Sequence, residues 1–152
     1  MKVKCYKVVR CSGGQYLSAM SRFLPDEFSL SYKIGEKTVP KIGKIFVFKD
    51  YESAKGFIYN NRYFYTDILG EGNSKNGYYI YDFVILVGVS ENLSKIKYVA
   101  SRNSIGEMFN CFEFWRAKMS KKGISGNFFT SLAPFNSFSC SYFIPEEVVY
   151  VD

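Results

Sequence analysis

Hydrophobic and polar positions change their period several times along the 152 residues, and each change marks a predicted element. "VKCYKVVR", residues 3–10, alternates through Val3 and Cys5 before the apolar pair Val8 and Val9, the pattern of a half-buried strand, and the "CSGG" that follows supplies a turn. "QYLSAM" and "SLSYKIGEKTV" predict weaker extended stretches on either side of "LPDE", where Pro25 and two acids predict a loop. "GKIFVFKD" is a short run of aromatic and β-branched residues between Gly43 and Asp50 and predicts a buried strand. Beyond it, Tyr51, Ala54, Phe57 and Ile58 recur at helical spacing behind Asp50, a capping residue type. This predicts a short amphipathic helix over 51–60, stopped near "NN".

The second half opens with a Gly- and Asn-rich loop, "ILGEGNSKNG", and then "YYIYDFVILVGV", the strongest strand signal in the chain and a candidate for the centre of the sheet. "KIKYVAS" at 95–101 alternates again after "SENLS", so the two predict an antiparallel unit. Ser104 and Glu107 form a capping box. Ile105, Met108, Phe109, Phe112, Trp115 and Met119 then share one helical face up to Gly123, which predicts the main helix. "GISGNFFTSLAPFNSFS" carries no clean period and predicts loop with short extended pieces. The chain closes on "EEVVYVD", a strand with Pro145 at its start and Val148, Val149 and Val151 joining the core. The expected architecture is α+β: one domain over 1–152, a mostly antiparallel sheet packed by one long and one short helix.

Composition narrows the chemistry. The sequence contains no histidine, which removes Ser-His-Asp and Cys-His nucleophilic catalysis and the HExxH metal site. Cys5, Cys11, Cys111 and Cys140 are widely spaced, without a CxxC pair. They read as free thiols of a reducing compartment, and neither a metal nor a cofactor is expected. The start "MKVKCYKVV" alternates charged and apolar residues, unlike a secretion signal, and no run approaches membrane-spanning length. The expectation is therefore a cytoplasmic protein without a membrane partner. A formal net charge of +6 favours acidic partners, protein or nucleic acid. Aromatics at 19% exceed what one core of this size needs and favour a binding face.

Several residue groups are candidates for contact with a partner. Arg116, Lys118, Lys121 and Lys122 cluster at the C-terminal end of the predicted main helix. There they either offset the negative end of the helix dipole or meet an acidic partner surface. Lys33, Lys37, Lys41, Lys44 and Lys49 form a second basic set, interrupted by Glu36, which reads as solvated surface or as an electrostatic footprint. "NNRYFY" and "NGYYIYDF" interleave Tyr and Phe with Asn and Arg, a composition that serves either a core boundary or base stacking. "CSGGQ" has the glycines of a phosphate cradle without the Lys-Ser/Thr of a P-loop, so a turn is the better reading.

Two resemblances extend this reading. "SYKIGEKTV", "GKIFVFKDYESAKGFI" and "KIKYVASRNSIGEM" together resemble a group of small phage and prophage domains over roughly residues 1–110. The shared pattern is Y-x-x-G, a short strand leading into an alanine-bearing helix, and a late Lys-x-Val-Ala-Ser step. That resemblance implies a small non-catalytic binding protein of phage or mobile-element type, in its sharpest form a counter-defence, anti-CRISPR-like inhibitor that occupies a surface of a host or defence protein. The order Arg10, "FTS" at 129–131 and then Glu146 or Glu147 is similar to that of Arg–Ser–Glu ADP-ribosyltransferases. It implies an alternative, an enzyme using NAD with Arg10, Ser131 and Glu146 or Glu147 at its centre. A nucleic-acid-binding module is the third reading.

Overall fold

A computed structural model describes residues 1–19, 29–59, 83–100 and 130–151. Its spine is β1 (Val3–Ser12), paired along its length with β5 (Phe83–Ser90) from Val3 opposite Ser90 to Arg10 opposite Phe83. On the far side of β5 runs β10 (Ile144–Tyr150), so β5 is central, as its unbroken apolar run predicts. The other edge of β1 is shared. Its second half forms a hairpin with β2 (Gln15–Ser18), while Tyr6 pairs with Phe48 of β4 (Ile45–Phe48). The sheet continues from β4 through β9 (Ser137–Cys140) to β6 (Ser94–Lys95), and from β2 to β3 (Ser31–Tyr32). These eight strands form one sheet, and β7 (Tyr98–Ala100) and β8 (Thr130–Leu132) form a separate antiparallel pair.

Strand alternation gives the sheet two buried faces. Val8, Phe48, Phe83 and Ile85 pack against Ala54 and Ile58 of α1 (residues 51–59), with Tyr6, Tyr51, Phe57 and Val149 at the margin. Ala54 and Ile58 are buried, as the helical spacing predicts. The intervening residues, Cys5, Val9, Val84, Leu86, Ile45 and Val47, share the second cluster with Tyr32, Cys140 and Phe143. Five successive residues of β5, Phe83 to Val87, are buried, because each face of that strand meets a different core.

The expected α+β packing is corrected. About half of the described residues are strand, the sheet is mostly antiparallel and curls into a half-barrel, and one helix accompanies it among those residues. The physical reason lies in the second face. Among the described residues it packs against Tyr32, Phe138 and Cys140 on other strands of the same sheet and against Phe143 just before β10, so the curl itself covers that face. The helix expected behind Ser104 lies outside the described residues, as do the "LPDE" and "ILGEGNSKNG" loops and the aromatic stretches "NNRYFY" and "NGYYIYD". The expected pairing of "YYIYDFVILVGV" with "KIKYVAS" is also corrected: β7 pairs with β8, and β5 takes β1 and β10.

Two local devices shape the sheet. Gly13 and Gly14 both have positive φ, 55° and 80°, between the paired Ser12 and Gln15, so "CSGG" makes a two-residue primed hairpin turn. At Gly88 the strand crosses β10 so closely that a Cβ would collide with the backbone oxygen of Ile144 and the ring of Phe143. Beside it the register slips between Pro145 and Glu147, a bulge that leaves Glu146 without a counterpart on β5.

Candidate interaction surface

Residues 33–44 run as a strap from β3 to β4 along the outside of β10. Lys33 O accepts from Glu36 N at 3.0 Å, and Gly35, with φ of 83°, takes the third position of this type II turn. The turn is fastened to β10 where Gly35 N donates to Pro145 O at 2.7 Å. Pro145 has no N–H of its own to offer, yet its carbonyl remains available to the strap. Thr38 and Phe143 exchange both backbone hydrogen bonds, at 2.9 and 3.0 Å, and Thr38 Oγ1 donates to Ser31 O at 3.4 Å. The Lys37 ammonium sits 4.3 Å from the centre of the Tyr142 ring, a cation–π contact. Beyond it, Pro40 and Gly43, whose φ is 75°, keep the segment irregular until β4 begins.

The fastened backbone displays Lys33, Lys37, Lys41 and Lys44 in exposed positions, against the single carboxylate of Glu36. Among the described residues no ion pair neutralises these four lysines. Ile34 and Val39, 44% and 59% exposed, stand between them. At the β3 end, the first turn of the strap and the β1–β2 hairpin border an open depression of about 250 Å³ lined by Gly14, Gln15, Tyr16, Ser31, Tyr32, Lys33 and Ile34. Burial, then a hydrogen bond with Tyr150, raises the Tyr16 phenol above its usual range, so this wall stays neutral near pH 7.

Inside the curl lies a charge of a different kind. Lys7, half-buried on β1, donates from Nζ to Phe46 O at 2.8 Å and stands 6.0 Å from the centre of the Tyr32 ring. Desolvation lowers its pKa from 10.5 to about 8, and no carboxylate pairs with it among the described residues. Burial pushes the neighbouring Cys5 thiol up to about 12, and the Cys140 thiol rises for the same reason. Raised pKa values disfavour the thiolate form at both sulfurs. Cys5 and Cys140 are free thiols.

The residues singled out in the sequence separate into three groups. Arg116, Lys118, Lys121 and Lys122 lie outside the described residues. Of the second basic set, Lys33, Lys37, Lys41 and Lys44 are brought onto the strap, whereas Lys49 follows β4 and rests 4.6 Å from the centre of the Phe138 ring. The Arg–Ser–Glu residues fall on three strands, β1, β10 and β8. Arg10 is buried opposite Phe83, Glu147 is exposed opposite Val87, and an intervening strand and four register steps, roughly 13 Å along the strands, part them. Ser131 sits on β8, opposite Val99 in the separate ladder. Sequence reasoning found the strap lysines but missed Ile34, Val39 and the fastening to β10, because main-chain hydrogen bonds to a distant strand leave no local pattern.

No family model, curated protein or solved structure matches this chain. No helix among the described residues is long and apolar enough to cross a membrane.

Proposed function

We propose that the protein is a small non-catalytic binding protein of phage or mobile-element type, a counter-defence, anti-CRISPR-like inhibitor that occupies an acidic surface of a host or defence protein. The mobile-element origin rests on the sequence patterns around "SYKIGEKTV" and "KIKYVASRNSIGEM". The mode of action rests on one observation: a strap fixed to β10 presents four lysines without ion-pair partners among the described residues, with Ile34 and Val39 exposed between them. A pre-fastened strap loses little conformational entropy on docking, so its contacts contribute to affinity with small offset. Unneutralised lysines speed encounter with an acidic surface, and exposed aliphatic side chains favour a protein over a sugar–phosphate backbone.

The test is affinity capture from host lysate, with wild type compared with a Lys33→Glu, Lys41→Glu, Lys44→Glu triple variant. A discrete protein retained at low salt, released as salt rises, resistant to nuclease and lost with the triple variant is the expected result. Capture that survives the triple reversal, or that nuclease abolishes, overturns the proposal; the second outcome favours nucleic acid. Measured NAD turnover by the purified protein would favour the transferase reading instead.

A further inference from the structure

We infer that the depression beside Lys33 is a subsite for a single carboxylate side chain of the partner, carried on an extended acidic–apolar segment. The inference rests on the proposed acidic partner and adds which group of that partner is gripped, and where.

Among the described residues, one cationic residue, Lys33, lines the depression. Gln15 and Ser31 are also among the lining residues, and neither carries a charge. Charge-matching decides the ligand class. One ammonium among uncharged residues balances a monoanionic carboxylate, whereas a phosphoryl group near neutral pH brings close to two charges and calls for a cluster of cations or a fork-shaped guanidinium. Lys37, Lys41 and Lys44, the other lysines of the strap, do not line the depression. The volume of about 250 Å³ accommodates one side chain rather than a nucleotide or a cofactor.

The remaining walls define what lies beside the carboxylate. Ile34, 44% exposed, and Tyr16 are also among the lining residues. An aliphatic residue next to the acid on the partner's chain would cover Ile34, while the neutral Tyr16 phenol repels nothing. The site is also preformed. The hairpin turn at Gly13–Gly14 is fixed by the Ser12–Gln15 pair, β3 is fixed by the Tyr16–Tyr32 register, and Lys33 belongs to the turn fastened to Pro145. A ligand therefore meets these groups without reorganising the backbone.

The test uses the isolated ¹⁵N-labelled protein, with no partner present, and the probe acetyl-Leu-Glu-Leu-amide. Saturable chemical-shift changes are expected at the amides of Gly14, Ser31 and Ile34. The Gln counterpart of the probe should bind about tenfold more weakly, the loss of one charge-assisted contact. Lys33→Gln should remove the difference between the two peptides, whereas Lys41→Gln and Lys44→Gln should preserve it. A dispersed spectrum for each variant verifies folding. Absence of saturable shifts at these amides, equal affinity of the Glu and Gln peptides for wild type, or tighter binding of inorganic phosphate than of the Glu peptide overturns the subsite. Because no lysate enters this titration, its failure leaves the capture result standing, and failure of the capture experiment leaves the titration readable.

Discussion

The amino group of Lys7 on β1 donates to the carbonyl oxygen of Phe46 on β4 at 2.8 Å, beside the registered pair Tyr6–Phe48 that joins the two strands. A side chain thus extends the junction between the β1–β5–β10 part of the sheet and the β4–β9–β6 wing. The junction is sensitive to pH. In the unfolded chain Lys7 holds its proton to about 10.5, and in the fold to about 8. Its stabilising contribution is therefore complete above pH 10.5 and is lost as pH falls through 8. Cys5 acts in the opposite sense: its folded pKa of about 12 against 9.0 unfolded gives a contribution complete below pH 9 and lost as pH rises through 12. Stability should rise by up to about 1 kcal/mol between pH 8 and 9, then flatten or fall. Lys7→Met should abolish the rise and exceed wild type in stability at pH 7, where the partly desolvated ammonium is costly. Urea unfolding at pH 7, 8 and 9 checks this, and equal pH slopes for the two proteins would count against it.

Gly88→Ala is expected to be the most damaging conservative change in the sheet. Its Cβ meets the Ile144 backbone oxygen and carbonyl carbon as well as the Phe143 ring, and backbone cannot rotate away as a side chain can. A loss of roughly 3 kcal/mol or more is expected from overpacking at this crossing. Gly56→Ala, on α1 with nothing within 4 Å of its added Cβ, should be neutral or slightly stabilising. Thermal melts of the pair decide the matter, and similar melting temperatures would refute the account of the crossing.

Asp50 caps α1. Its Oδ1 accepts from Ser53 N and its Oδ2 from Ser53 Oγ, both at 2.8 Å, while Asn136 Nδ2 donates to Oδ2 at 2.7 Å. Burial works to raise the carboxyl's pKa, but these donors outweigh it and hold it below the usual 3.8. The stabilisation is present above pH 3.8 and is lost as pH falls through the lower folded value. Asp50→Ala should cost about 1–2 kcal/mol at pH 7. Asp50→Asn should cost less and reduce the acid-side loss of stability, which denaturant titrations from pH 2 to 6 would reveal.

The C-terminal strand supplies a contrast between two kinds of residue. Glu146 and Glu147 are exposed, so changing either to Gln should alter stability by no more than about 0.5 kcal/mol. Truncation after Pro145 should cost several kcal/mol, since it removes the pairs of Glu147 to Tyr150 with β5 and the half-buried Val148, Val149 and Val151. A folded, equally stable truncation would show that β10 contributes less than its pairing implies.

What could be read in the sequence depended on how locally each feature is encoded. The β5 strand was legible because Phe83 to Val87 are apolar without interruption, and α1 because Ala54 and Ile58 fall on one helical face behind Asp50. Partner choice was not legible. Val9 meets Val84 across more than seventy residues, and nothing in "KIKYVAS" forbids it the same place. The β9 strand was obscured by its serines, although Ser137 and Cys140 are both buried. The strap's lysines stood out, but its role as a fastened display came from Gly35 and Thr38, whose main-chain bonds to Pro145 and Phe143 have no side-chain signature.

The position of β5 between β1 and β10 sets a schedule for folding. Its neighbours, β1 and β10, begin at Val3 and Ile144. On the ribosome, β5 emerges with one partner already waiting and the other dozens of residues from being made. At roughly 5–20 residues per second, an interval of seconds separates the two pairings, during which one edge of an apolar strand is open. Such long-range closure also places the refolding rate among slow, β-rich topologies, in milliseconds to seconds. The bulge at Glu146 and the charges of Glu146 and Glu147 lie on the strand that eventually seals that edge, and they make it a poor template for pairing with another chain once it has docked.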